Sequence, residues 1–203
     1  MLAATGLTLW RGTTCLFEDL SLAVAPGSCL VVEGPNGAGK TSLLRVLAGL
    51  TQPESGTVTW DGDDCRQQVR AGRLRLAFAG HALALKAELT TRANLEFFAR
   101  LAGTGTAVPS VIERAGLGAC AELEVRLLSA GQKRRAALAR VLLAKAGLWI
   151  LDEPQTNLDA AGRQVVARWI REHLGEGGTV VVAAHQSLEL GDAPVSRLKL
   201  GEG

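Results

Sequence analysis

The chain has 203 residues, of which 47% are hydrophobic but only 4% aromatic, and it contains no tyrosine. That length suits one α/β domain built around an aliphatic core. With 22 basic against 20 acidic residues the net charge is +2, which excludes a polyanion-binding signature, so no nucleic acid is expected as a partner.

Residues 2–9 and 16–24 alternate loosely and predict strands of a small antiparallel sheet. The run 28–33, Ser-Cys-Leu-Val-Val-Glu, reads as a buried strand. It leads straight into Gly34, Pro35, Asn36, Gly37, Ala38, Gly39, Lys40 and Thr41, a complete G-x-x-x-x-G-K-[ST] loop. Residues 40–48 then carry apolar side chains at helical spacing and stop at Gly49. A strand, a glycine-rich loop and a helix in that order make a phosphate site. The glycines let successive N–H groups turn inward, and the helix tip adds roughly +0.5 of charge. Lys40 suits the β- and γ-phosphates, and the Thr41 hydroxyl suits Mg²⁺. The chain is expected to bind a nucleoside triphosphate.

Residues 56–60 followed by Asp61-Gly62 predict a hairpin, and 74–79 a further buried strand. From about 82 to 145 the pattern becomes mainly helical, with helices expected at 91–102, 108–115 and 131–146. Ser129 and Gln132 fit a capping box at the head of the last of these. The apolar strand 148–152 ends in Asp152, whose carboxylate falls beside the phosphate loop and suits Mg²⁺, held through water. Glu153, next along the chain, is placed to orient or deprotonate an attacking water. No Asn-Lys-x-Asp motif occurs, which argues against a GTPase. A helix at 158–174 and strands at 179–184 and 195–200 complete the pattern. The expected fold is α/β: a P-loop NTPase core, in which helices flank a parallel sheet, with a small antiparallel β subdomain and a helical subdomain.

With these pieces in this order the chain resembles the ABC ATPase family over residues 1–203, read as a single domain with its helical subdomain at about 82–145. The resemblance implies that Leu128-Ser129-Ala130-Gly131-Gln132 is the signature motif, which binds the γ-phosphate of ATP held by a second copy of the chain. Ala130 replaces the family's first glycine, while Ser129, Gly131 and Gln132 keep its pattern. His185 matches the switch histidine and Asp159 the aspartate that bridges the two subunits. Trp10 lies where the family stacks an aromatic ring on adenine, and it suits a hairpin core equally well. The family's Q-loop glutamine falls on His81 or Ala82, depending on the alignment. That departure motivates a rival reading as a non-hydrolysing ATP-binding scaffold.

More narrowly, the chain is similar to the ATP-binding subunits of cytochrome c maturation systems, often called haem exporter ATPases. The similarity rests on the short size, on Gly80-His81 with Leu85-Lys86-Ala-Glu-Leu-Thr90, on the Ala130 signature and on His185-Gln186. Ala82-Leu-Ala84 departs from that group's Gln-Pro-Gly. Membership implies an ATP hydrolase using ATP and Mg²⁺, and a dimer formed with ATP. It also implies a separate transmembrane permease subunit, docked on the segment from His81 to Leu101 with Leu83, Leu85, Leu89, Leu95, Phe97 and Phe98, some of which are expected to belong to the core of the helical subdomain instead. The four cysteines (Cys15, Cys29, Cys65, Cys120) are too scattered for a C-x-x-C pair and read as reduced thiols on a cytosolic side. No signal-peptide pattern or bilayer-length apolar run occurs, so a membrane is expected to be reached only through the partner, at the cytoplasmic face of the inner membrane. No Cys-His or His-rich pair suggests direct haem ligation. Two alternatives stand beside this reading: the ATPase of another small-substrate transporter, and a soluble ABC-type ATPase not engaged in transport.

Overall fold

Strand β1 (Leu2–Arg11) turns at Gly12 into β2 (Thr14–Val24), and the chain then enters the core as β3 (Cys29–Glu33). The computed structural model describes residues 1–184 and 188–201. After β3 come the loop 34–39 and helix α1 (Lys40–Leu47), then β4 (Ser55–Trp60) and β5 (Asp63–Asp64). Asp61 and Gly62 both take positive φ, the twist that a two-residue hairpin turn demands, and β4 pairs antiparallel with β5 as the sequence predicts. The antiparallel sheet runs β2-β1-β4-β5. A short helix α2 (Cys65–Arg70) follows, capped by Asp64, whose carboxylate accepts from the Gln67 N–H.

Strand β6 (Leu76–Ala79) leads into a helical region of α3 (Thr91–Ala102), α4 (Val108–Arg114) and α5 (Ala130–Leu143). The chain returns through β7 (Leu148–Asp152), α6 (Ala160–Gly175), β8 (Thr179–Ala183) and β9 (Val195–Lys199). The five core strands are all parallel, in the order β6-β7-β8-β3-β9.

Apolar strands without polar interruption need cover on both faces, and period-2 alternation shares their side chains between two cores. Cys29, Val31, Trp149, Leu151, Val180 and Val182 face one core, which α3, α4, α5 and α6 cover. Leu30, Val32, Leu148, Ile150, Val181 and Ala183 face the other, closed by α1 and the antiparallel sheet through Leu2, Leu7, Leu9, Leu43 and Leu44. Burial pushes the Cys29 thiol up to about 12 and the Cys65 thiol up to about 11, so both remain protonated, unreactive core groups.

The loop after β6 is irregular, yet side chains from two helices hold it. Asn94, 3% exposed on α3, accepts from the Lys86 N–H at 2.8 Å and donates to the Lys86 and Thr90 carbonyls, each at 3.0 Å. Arg140 of α5 donates to the Ala84 carbonyl at 3.4 Å and lies over the Phe98 ring. Of the side chains expected to dock a partner, Leu95 is core at 0% exposure and Leu85 and Phe98 pack against the core. Leu89, Phe97 and Leu101 remain on the surface.

Candidate nucleotide-binding and hydrolysis site

The first turn of α1 is built to meet an anion. Its N-cap is Gly39 at φ 93, which no side chain can use to close the turn, so the leading N–H groups stay available. Gly34 lies so close to the C-terminal segment that a Cβ there would sit 2.5 Å from the Leu200 carbonyl oxygen. Lys40 is 6% exposed, and its ammonium donates to the Gly34 carbonyl at 2.7 Å and the Pro35 carbonyl at 2.9 Å. The loop thus holds a buried cation inside its own curve, where phosphate oxygens can replace those carbonyls.

The strand order places β7 one strand away from β3, with β8 between. Its last residue, Asp152, is 3% exposed and accepts from the Thr41 hydroxyl at 2.9 Å. Two residues far apart in sequence therefore meet at the base of the phosphate loop. Glu153 follows at φ 48, a left-handed turn fixed by its own N–H, which donates to the Ala183 carbonyl at 2.9 Å. Its carboxylate accepts from the Thr156 hydroxyl at 3.2 Å. A cleft of about 240 Å³ joins Glu153 to Asn36, Gly37, Gly39, Lys40, Thr41, Ser42, Leu16 and Arg11. A larger cavity, about 500 Å³, opens near the opposite end of β7 and β8, around the stacked Trp149 and His173 rings. It contains no phosphate-loop group.

Trp10 is not among the residues that line the cleft, and at 46% exposure it is not hairpin core either. Leu7 and Leu9 are buried toward α1, whereas Trp10 and Arg11 are both exposed beyond a shift of the β1–β2 register between Leu9 and Trp10, and of the two it is Arg11 that lines the cleft. The guanidinium of Arg11 is the planar group that borders the phosphate loop. No signal in the sequence singled out position 11.

Ser129 caps α5 with both halves of a capping box: the Gln132 N–H donates to Ser129 Oγ at 3.2 Å, and the Ser129 N–H donates to Gln132 Oε1 at 2.9 Å. That helix tip, with Ser129 and Ala130 exposed, faces solvent. Asp159 caps α6 by accepting from the Gly162 N–H at 2.8 Å. Gly131 lies close to the Asn157 carbonyl, so the segment before Asp159 runs beside the α5 tip of the same chain. His81 and Ala82 are both exposed. His185, with Gln186, lies outside the described residues.

One site residue had no signal of motif type. Arg134, in the basic run Lys133-Arg134-Arg135, is 4% exposed and donates to the carbonyls of Gly80, Asp152 and Glu153. Its helical register with buried Leu138 and Val141, at i+4 and i+7, marked it as facing inward.

Residues 17–156 match the ABC transporter family. The chain belongs to that family. Along the whole cassette, the cytochrome c biogenesis ATP-binding export protein CcmA of Pseudomonas aeruginosa is 43% identical over 201 residues, covering 98% of this chain and 99% of that protein. The CcmA protein of Salmonella typhi is 41% identical over 203 residues, covering 100% of this cassette and 98% of its own length. Among solved structures, a dimeric post-hydrolysis state of an ATP-binding cassette bound to ADP and Pi superposes with a TM-score of 0.83 at 21% identity, over 98% of this chain and 96% of that one. A dimeric bacterial ABC transporter cassette gives 0.84 at 22% identity, over 98% and 94%. At such identities these likenesses establish the fold of the cassette, and the family establishes ATP binding and hydrolysis as its chemistry.

Proposed function

We propose that this chain is the ATP-hydrolysing subunit of a cytochrome c biogenesis export system, a single cassette with a helical part at about 82–145. In this reading it works as an ATP-dependent dimer on a separate transmembrane permease, at the cytoplasmic face of the inner membrane. The observation that carries the chemistry is the meeting of Thr41 and Asp152, 2.9 Å apart, with Thr41 lining one cleft together with Lys40 and Glu153. The full-length likeness to CcmA proteins supports the choice of system. Among the described residues no helix is long and apolar enough to cross a membrane, in keeping with a partner that does.

The hydroxyl of Thr41 and the buried carboxylate of Asp152 are hard oxygen donors that fit Mg²⁺, which when bound with ATP would neutralise phosphate charge there. Residues 34–41 hold the phosphates through inward N–H groups and the Lys40 ammonium. Glu153 orients a water in line with the γ-phosphorus and accepts its proton as the new P–O bond forms and the bond to the β–γ bridging oxygen breaks. Ser129, Gly131 and Gln132 at the exposed tip of α5 serve the γ-phosphate held by the second copy, and Asp159 and His185 act at that boundary. Two helix tips sharing one anion close the dimer, and departure of phosphate lets it open. Arg11 meets the nucleotide beyond the phosphates by stacking its guanidinium. Arg11→Ala is therefore expected to raise KM for ATP about 5-fold while Trp10→Ala leaves it within about 2-fold. Steady-state phosphate release checks both, and the reverse order would restore Trp10 as the base contact.

The deciding experiment is affinity capture of the tagged chain from a detergent extract of its own cells. Expected is a polytopic membrane protein co-purifying in stoichiometric amount, in a complex that releases phosphate from ATP. A chain that stays in the soluble fraction while the candidate permease is co-expressed would overturn the assignment.

A further inference from the structure

Arg134 is the only buried arginine among the described residues, and it is placed where the ends of β6 and β7 come together. One terminal nitrogen of its guanidinium donates at 2.7 Å to the Asp152 carbonyl and at 2.7 Å to the Glu153 carbonyl. The other donates at 3.1 Å to the carbonyl of Gly80, the residue that follows β6 and precedes His81. A planar fork suits this task, because its donors diverge in fixed directions and a single side chain can reach separate backbones. Burial pushes the group down from its ordinary pKa, while the Asp152 and Glu153 carboxylates push it back up. It remains a cation, and those two carboxylates compensate its charge.

Arg134 lies on α5, five residues beyond Ser129, about 7.5 Å along the helix axis from the exposed tip. The same helix therefore carries the serine offered to the partner's nucleotide and the arginine gripping the backbone of its own hydrolytic pair. Arg140, further along α5, reaches the Ala84 carbonyl, so the helix holds the post-β6 loop at a second point. We propose that Arg134 is the positioning residue that locks α5 to the backbone of Asp152, Glu153 and Gly80. The carboxylate serving one nucleotide and the helix tip serving the other then move as one rigid body. The hydrogen bonds of its two terminal nitrogens all go to backbone carbonyls, so its role is to hold the backbone that carries the reacting groups. What it fixes is where Glu153 stands, in a left-handed turn at φ 48 that the backbone does not prefer. It also makes hydrolysis at one site felt at the other, because a shift at the end of β7 cannot occur without displacing α5.

The inference rests on the proposed ATPase reading, and the test separates the two. Phosphate release is measured for the full chain with its membrane partner, alongside ATP affinity by calorimetry and the thermal midpoint. Arg134→Gln is expected to lower kcat about 30-fold, since misplacement of a reacting group by an ångström has effects of this order. KM and the ATP dissociation constant should stay within about 2-fold, and the Hill coefficient for ATP should fall toward one. Arg134→Lys, whose ammonium can satisfy some of the same carbonyls, should recover kcat to within about 5-fold of wild type. Wild-type kcat and Hill coefficient in Arg134→Gln would overturn the proposal. So would kcat, ATP affinity and thermal midpoint falling together without rescue by lysine, the pattern of a merely packed residue. If Arg134→Gln does not fold, the same split is read in Arg134→Lys: lower kcat at constant KM supports the proposal, and equal loss in both refutes it. A wild-type complex that hydrolyses no ATP would instead sink the functional reading itself.

Discussion

Glu153→Gln is expected to leave ATP binding intact, to cut phosphate release by roughly 100-fold or more, and to hold the ATP-bound chains together as a dimer. The amide keeps the shape of the side chain and can still accept from the Thr156 hydroxyl, which the carboxylate now does at 3.2 Å. What it loses is the capacity to take a proton from water. Because the backbone turn at Glu153 is set by its own N–H and by Arg134, the substitution should not disturb Asp152 or the Thr41 contact. Size-exclusion chromatography with ATP reads the trapped dimer, and a phosphate-release assay reads the rate. Turnover within a few-fold of wild type would mean that Glu153 is not the group that activates water.

Lys40→Ala should act earlier, on binding. The ammonium is 6% exposed and sits 2.7 Å from the Gly34 carbonyl and 2.9 Å from the Pro35 carbonyl, so the loop is already folded around it. A charge-assisted contact to phosphate in such a place contributes about 2–3 kcal/mol, or about 30- to 150-fold in the ATP dissociation constant. Calorimetric titration measures this directly. An unchanged constant would show that the N–H groups of the loop bind the triphosphate without the cation.

The core of the fold was legible because its signals are local. Residues 148–152 and 179–184 are continuous apolar runs bounded by turn residues, and the same property forces them to the centre of a sheet covered on both faces. Helix α3 came out at its expected limits because Thr90 caps it and Gly103 closes it in the left-handed region. Helix α2, only six residues long, offered too short a window for periodicity, although Asp64 with Gln67 carries its cap. In the candidate site, the meeting of Thr41 with Asp152 was readable from motifs, the phosphate loop and the acidic end of an apolar strand. Arg134 was not, because its partners are backbone carbonyls, which have no sequence letter. Which of Trp10 and Arg11 borders the phosphate loop was not legible, because the β1–β2 pairing shifts register between Leu9 and Trp10 and local alternation does not reach them.

Helices α2, α3, α5 and α6 each begin with a side chain that closes the first turn, whereas α1, like α4, begins with none, and of those two only α1 opens onto the phosphate-loop cleft. The consequence is thermodynamic. The first turn of α1 is left open to an anion, so nucleotide binding is expected to raise the thermal midpoint of the chain. At a concentration 100 times the dissociation constant, occupancy adds about 2.7 kcal/mol to the folded state. The folded state without nucleotide is the softer of the two by that amount.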